Sequence, residues 1–129
     1  MTSSRTDEIQ ALSIAPQFLV QDLAASLTYY TSIGFEQAID YGGFYASVTL
    51  GSAEIHLKCA PECDGKRTHQ HDNDHIDAMI QVRDVHAAHD ILSARGATIL
   101  RGLETHPWGS TDFYLTDPDD HIICFAQTA

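Results

Sequence analysis

Cys59, Cys63, His69, His71 and His75 fall between positions 59 and 75, a run of thiol and imidazole side chains. These are the donors that zinc takes in a tetrahedral site. A zinc module also needs paired ligands at fixed offsets, and the order C-x3-C-x5-H-x-H found here matches no such module. The simpler reading of residues 60–74 is a polar, turn-rich connection, with Cys59 serving as a small buried hydrophobe. A second place for chemistry is the run from Glu54 to Cys59. It alternates: Ile55, Leu57 and Cys59 fall on one face of a strand, and Glu54, His56 and Lys58 on the other. An imidazole on the polar face of a strand suits ligand binding or a transition metal. Neither a Ser-His-Asp set nor a Cys-His pair can be argued, because Cys124 has no sequence-visible base.

These residues hang on a unit that the chain states twice. Val20-Gln21-Asp22 opens a run rich in apolar and small residues that closes at Gly34; Val82-Arg83-Asp84 opens another that closes at Gly96. Asp22 and Asp84 can accept hydrogen bonds from the free N–H groups of a starting helix. Gly34 and Gly96 can take the left-handed conformation that ends one. Leu23, Leu27 and Tyr30 form one apolar stripe, matched by Val85, Ala88 and Leu92. Strand-like runs flank both helices. The first half reads as a strand over Leu12–Val20, a helix from about Asp22 to Ile33, and strands over Phe35–Tyr41, Phe44–Leu50 and Ala53–Cys59. Gly51-Ser52 joins the last two as a hairpin. The second half repeats this from about His75, with Asp117-Pro118-Asp119-Asp120 as a tight turn before the last strand. The expectation is an α+β chain with helices on one face of its sheets. It divides into a flexible lead over 1–10, module one over about 11–60, a linker over about 60–74 and module two over about 75–128.

The totals bound the function. A chain of 129 residues, 43% hydrophobic and 19% charged, is one globular domain by length. Seven Lys and Arg stand against 18 Asp and Glu, a net charge of −11. That argues against nucleic acid, whose phosphates call for basic residues. It is compatible with a cationic small molecule, although acidity also serves solubility. No apolar run is long enough for a bilayer, so no membrane partner is expected. The polar start lacks the apolar segment of a signal peptide, and three cysteines fit reduced thiols, so a cytoplasmic location is expected.

The two Val-x-Asp helix openings, Ile55-His56-Leu57-Lys58, and Pro107-Trp108-Gly109 followed by Phe113-Tyr114-Leu115-Thr116-Asp117-Pro118-Asp119-Asp120 together resemble the glyoxalase, bleomycin-resistance and dioxygenase superfamily, the vicinal oxygen chelate fold. The resemblance extends from about Leu12 to Gln127, and the family usually carries Gly where Asp120 stands. It implies two βαβββ modules forming a curved mixed sheet cup, helices on the outer face, commonly as a homodimer. The cup binds a small molecule and, in many members, a divalent metal. The family's metal positions fall on Ala15, His56, Asp77 and Cys124. Ala15 offers no donor; Gln17 nearby has one, expected on the wrong face. Cys124 replaces the family's usual Glu. An open three-ligand site of His56, Asp77 or His75, and Cys124 is conceivable for zinc. The simpler reading is a cup without metal, and no cofactor is expected.

In the family's orientation the concave faces carry His56, Asp77, Asp112, Tyr114 and Cys124, with Phe44 and Trp108 as additions from a strand and a loop. Tyr and Trp suit a planar or apolar ligand, and nearby acids suit a cation. The alternatives are a lid packed on the dimer partner for Trp108, core packing for Tyr114, and a plain surface loop residue for His106. The leading functional expectation is a protein of the bleomycin-resistance type that sequesters a cationic or aromatic compound without chemistry. The alternatives are a metal-dependent lyase or isomerase like glyoxalase, or a dioxygenase acting on a small oxygenated substrate.

Overall fold

A computed structural model describes residues 9–62 and 75–128. The element order is β1 (Gln17–Val20), α1 (Leu23–Ser32), β2 (Glu36–Tyr41), β3 (Tyr45–Leu50), β4 (Ala53–Cys59), β5 (Ala78–Gln81), α2 (Val85–Ala94), β6 (Thr98–Thr105), β7 (Thr111–Thr116) and β8 (Ile122–Gln127). The duplicated module is therefore present. Each half forms a four-stranded mixed sheet, in the orders β1-β4-β3-β2 and β5-β8-β7-β6. In each, the first strand runs parallel to the last and the other pairings are antiparallel. The two sheets stay separate; they do not merge into one closed cup.

Helix ends form as their residues dictate. Asp22 Oδ1 accepts the Ala25 N–H at 3.1 Å, and Asp84 Oδ1 accepts the Ala87 N–H at 3.0 Å. Gly34 follows α1 with φ 117° and Gly96 follows α2 with φ 90°. A Cβ at Gly34 would also displace the Arg95 guanidinium, which donates to the Ile33 carbonyl at 3.2 Å. Leu23 and Tyr30 of α1, and Val85 and Leu92 of α2, are buried; Leu27 and Ala88 are half-buried at the stripe edges. The first strand is shorter than the apolar run suggests. Pro16 has no N–H to give the ladder, its carbonyl accepts the His56 N–H at 2.9 Å, and residues 9–15 are exposed.

The core lies under the helix-covered faces of both sheets and runs as one cluster through both modules. It takes Phe18, Val48 and Leu57 from the first and Phe113, Leu115 and Phe125 from the second. Polar contacts tie the modules on this same side. Tyr30 Oη donates to Asp117 Oδ2 at 2.7 Å, Tyr29 Oη donates to the Thr116 carbonyl at 2.7 Å, and Asp119 Oδ1 accepts the Gln21 N–H at 3.1 Å. Phe18 stacks on His121 with centroids 4.2 Å apart, and His121 Nδ1 lies 2.9 Å from Asp117 Oδ2. Burial first, then the Asp117 charge, pushes the Tyr30 hydroxyl well above its ordinary range, so it stays a donor. Asp120, in the β7–β8 turn, has φ 63°, the conformation for which Gly is the natural choice.

Candidate functional site

The faces that the helices leave uncovered carry the chemistry. On sheet one the pairing places Gln17 and Ser47 on either side of His56, and Thr49 opposite Glu54. Paired residues share a face. Gln17 is thus on the face of His56, not on the opposite one: Ala15 and Gln17 are two apart and share a side of an extended chain. The side chains make a line. Gln17 Nε2 donates to Tyr45 Oη at 3.2 Å, Tyr45 Oη lies 2.8 Å from His56 Nδ1, and His56 Nε2 lies 3.1 Å from Glu54 Oε2. A carboxylate accepts only, so Nε2 carries the proton toward Glu54 and Nδ1 accepts from the Tyr45 hydroxyl. His56 and Glu54 keep about a quarter to a third of their side-chain surface open, at 26% and 32%. Ser47 is buried beneath this line, its hydroxyl without a hydrogen-bond partner among the described residues. Tyr41, paired with Tyr45, extends the face toward the Gly42-Gly43 turn, where Phe44 stands exposed.

On sheet two the pairing sets Met79 and Tyr114 on either side of Cys124, and Arg101 beside Tyr114. Arg101 is the hub. Its Nη2 donates to Asp112 Oδ1 at 2.5 Å, its Nη1 to Glu104 Oε1 at 3.0 Å, and its guanidinium carbon sits 4.0 Å over the Tyr114 ring. His106 Nε2 lies 3.1 Å from both Asp112 oxygens, and the His106 ring stacks on Trp108 at 4.7 Å and 4°. Trp108 itself is 72% exposed. Burial alone would raise the Asp112 carboxyl, but hydrogen bonds from Arg101 and His106 outweigh it and hold the group below the ordinary carboxylate range. The same contact outweighs burial at Arg101 and raises its guanidinium. Asp112 is therefore a paired charge, not a free one. His106 is more than a plain loop residue, since it joins Asp112 to the indole of Trp108.

Beneath this cluster Cys124 is 1% exposed, between buried Ile122 and Ala126. Burial, followed by the Asp112 charge, pushes its thiol up to about 12. Asp77 Oδ2 accepts the Ile122 N–H at 2.8 Å, while the Asp77 N–H donates to the Ile122 carbonyl at 2.8 Å, so this residue joins β5 to β8.

The family's four metal positions do not fit a metal in this chain. Ala15 has no donor atom, His56 has both ring nitrogens in hydrogen bonds, Asp77 accepts a backbone N–H, and Cys124 is buried between apolar neighbours. Among the described residues no group of three or more His, Cys, Asp or Glu side chains is placed to hold an ion. Cys63, His69 and His71 lie outside the described residues; Cys59 is half-buried and His75 exposed.

Of the residues expected to line a cup, His56 lies on sheet one, with Phe44 at its β2–β3 turn; Asp77, Asp112, Tyr114, Cys124 and Trp108 lie on or beside sheet two. The structure brings Asp112, Tyr114 and Trp108 together through Arg101 and His106, and it does not join them to His56. Tyr45, Arg101 and Glu104 were missed by sequence reasoning, whereas Glu54 was placed on the face of His56 without a role and Gln17 on the opposite face. Tyr45 and Glu54 were legible in the alternation of β3 and β4. A bulge between Ile99 and Arg101 breaks the alternation of β6, so Arg101 was not.

A cleft of about 540 Å³ opens between the β3–β4 turn and β5, lined by Leu50, Glu54, Ile55, Met79 and Gln81 among others. A smaller apolar recess of about 230 Å³ lies on the helix side, beside Ile33, Leu92 and Phe125. Neither includes His56, Tyr114 or Trp108.

Paired βαβββ modules with two polar, aromatic faces left open define the class of α+β fold. Residues 12–125 match the model of the glyoxalase/bleomycin resistance protein/dioxygenase superfamily, and the chain belongs to that family. Solved structures agree on the fold. A bleomycin-binding protein complexed with bleomycin superposes with a TM-score of 0.75 at 16% identity, covering 92% of this chain and 100% of that one. A glyoxalase/bleomycin resistance protein/dioxygenase from Alicyclobacillus acidocaldarius gives 0.73 at 17% identity, covering 89% of each chain. The bleomycin-binding protein of Streptomyces verticillus, complexed with copper(II)-bleomycin, gives 0.67 at 20%, covering 94% and 98%. A comparison with curated proteins returns no match. No helix among the described residues is long and apolar enough to cross a membrane.

Proposed function

We propose that the chain binds a small aromatic compound, cationic or neutral, and sequesters it without chemistry, as a homodimer in the cytoplasm. The observation that carries this reading is the exposed Trp108 indole, stacked on His106 and backed by the Arg101–Asp112–Tyr114 cluster. A flat ring held flat by another ring has a face left for a ligand at little entropic cost. His56 and Phe44 supply the matching contacts from the other face when a second copy brings the two faces together. Exposed Leu19, Tyr41, Met79 and Leu103 give a second copy apolar surface to cover. Any pull on a cation comes from the overall charge of −11, because Asp112 is already paired. Cys124 and Asp77 shape the floor in this reading and do not touch the ligand directly.

Trp108 is the one tryptophan in the chain, so its fluorescence reports on the site. Titration with bleomycin, the compound bound by two of the similar structures, and with planar cationic dyes is expected to quench it saturably. His56→Ala is expected to keep the melting temperature and weaken binding. No saturable response to any of these compounds would count against the reading. Elemental analysis of protein purified without a metal column separates it from a metal-dependent lyase: stoichiometric metal, lost in His56→Ala, would favour the lyase.

A further inference from the structure

The line Gln17–Tyr45–His56–Glu54 has a direction. Glu54 fixes the proton of His56 on Nε2, which leaves Nδ1 as a base 2.8 Å from the Tyr45 hydroxyl, while Gln17 donates a hydrogen bond to the same oxygen. One neighbour is set to take the hydroxyl proton and the other to stabilise the oxygen left behind. This is the logic of an activated hydroxyl: a reacting group, a base in hydrogen-bond reach, and a third group that orients the base. A hydrogen-bonded line built only for stability would gain little here, because its members are partly exposed and water would serve them nearly as well.

We propose that Tyr45, His56 and Glu54 form a metal-independent proton relay on the open face of sheet one. Through it Tyr45 takes a proton from a small molecule that presents a weakly acidic O–H group. The ligand proton passes to Tyr45 Oη as the tyrosine's own proton passes to His56 Nδ1. The products are a ligand anion, a neutral tyrosine and an imidazolium facing the Glu54 carboxylate; no bond other than those to hydrogen changes. The step goes beyond sequestration and does not depend on the aromatic contacts of Trp108.

Tyr41 supplies an internal control. It lies on the same face with its ring 6.4 Å from that of Tyr45, it is 59% exposed, and among the described residues no histidine is hydrogen-bonded to it. An arylsulfonyl fluoride reports base-assisted phenol reactivity directly. The phenol oxygen bonds to sulfur, fluoride leaves, and the phenol proton goes to the base. Peptide mass mapping of the full chain is expected to find Tyr45 labelled faster than Tyr41, despite its lower exposure. His56→Gln keeps a hydrogen-bond acceptor but no base, and is expected to slow labelling at Tyr45 about a hundredfold, within the range a positioned base supplies. Glu54→Gln should slow it less, and Tyr41 should be unaffected by either change. If His56→Gln fails to fold, Glu54→Gln carries the test alone, since Glu54 is a partly exposed side chain. Equal labelling of Tyr45 and Tyr41, or a Tyr45 rate unmoved by the variants that fold, would overturn the proposal. Slower Tyr45 labelling in Glu54→Gln with Trp108 quenching intact separates this idea from the binding function, because Glu54 is not one of the ligand contacts.

Discussion

The two modules share a plan down to their caps and differ on the faces that plan leaves open. In module one the open face is a hydrogen-bonded line of Gln17, Tyr45, His56 and Glu54, in which the Glu54 carboxylate is the charged member. In module two it is an ionic and aromatic knot around Arg101, set over a buried thiol. The repeated residues build the scaffold: Asp at each helix start, Gly after each helix end, an apolar stripe between. The residues free to differ lie where the helices do not cover the sheet. Duplication has thus yielded one scaffold with two unlike surfaces, one suited to hydrogen-bond chemistry and one to ring stacking.

Charge placed in the stripes tests whether the scaffold is shared. Leu92→Asp buries a carboxylate in the core and should cost about 4 kcal/mol in urea unfolding. Leu27→Asp, at the half-buried edge of the other stripe, should cost less but still lower the melting temperature. Unchanged melting for both would break the equivalence of the helices.

Removal of the hub tests whether the faces differ as described. Arg101→Ala should destabilise by about 2 kcal/mol, the scale of hydrogen bonds to a charged group, and should lift the Asp112 carboxyl toward its ordinary range. The sign follows from the lowered native value: Asp112 contributes stability above the ordinary carboxylate range and loses it as pH falls through its own lower value. The wild type should therefore resist acid further than Arg101→Ala, and identical acid unfolding midpoints would show that the pair is idle.

Cap removal should be symmetrical. Asp22→Ala and Asp84→Ala should each cost about 1 kcal/mol, and a large inequality would mean that one Asp has work beyond capping. The smallest effect belongs to the β7–β8 turn. Asp120→Gly relieves a left-handed backbone at the price of unfolded-state freedom, for a net gain of about 0.5 kcal/mol.

The repeat, the caps and the stripes were legible in the sequence because each is local, set by residues within one helix or one hairpin. The alternation of Glu54 to Cys59 placed His56 on the polar face for the same reason. What could not be read were the partners. Nothing within β4 says that Tyr45 reaches His56; that contact depends on the β3–β4 register, which the Gly51-Ser52 turn sets. Arg101 was hidden by bulges that break the period of β6. The pairing of Asp112 depends on Arg101, so a carboxylate that looked free to attract a cation turns out to be spoken for. β1 is shorter than its pattern suggests because Leu12, Ile14 and Ala15 extend the apolar run on the N-terminal side of Pro16, where the ladder has already stopped.

The most direct test of the account is a map of where an aromatic ligand touches the chain. Two-dimensional amide NMR, recorded while a compound that quenches Trp108 is added, gives that map. Shifts are expected to concentrate at Tyr45, His56, Trp108 and Tyr114, with α1 and α2 quiet. Shifts confined to the helix side, around Ile33, Leu92 and Phe125, would contradict it, because they would place the ligand in the apolar recess instead of on the open faces.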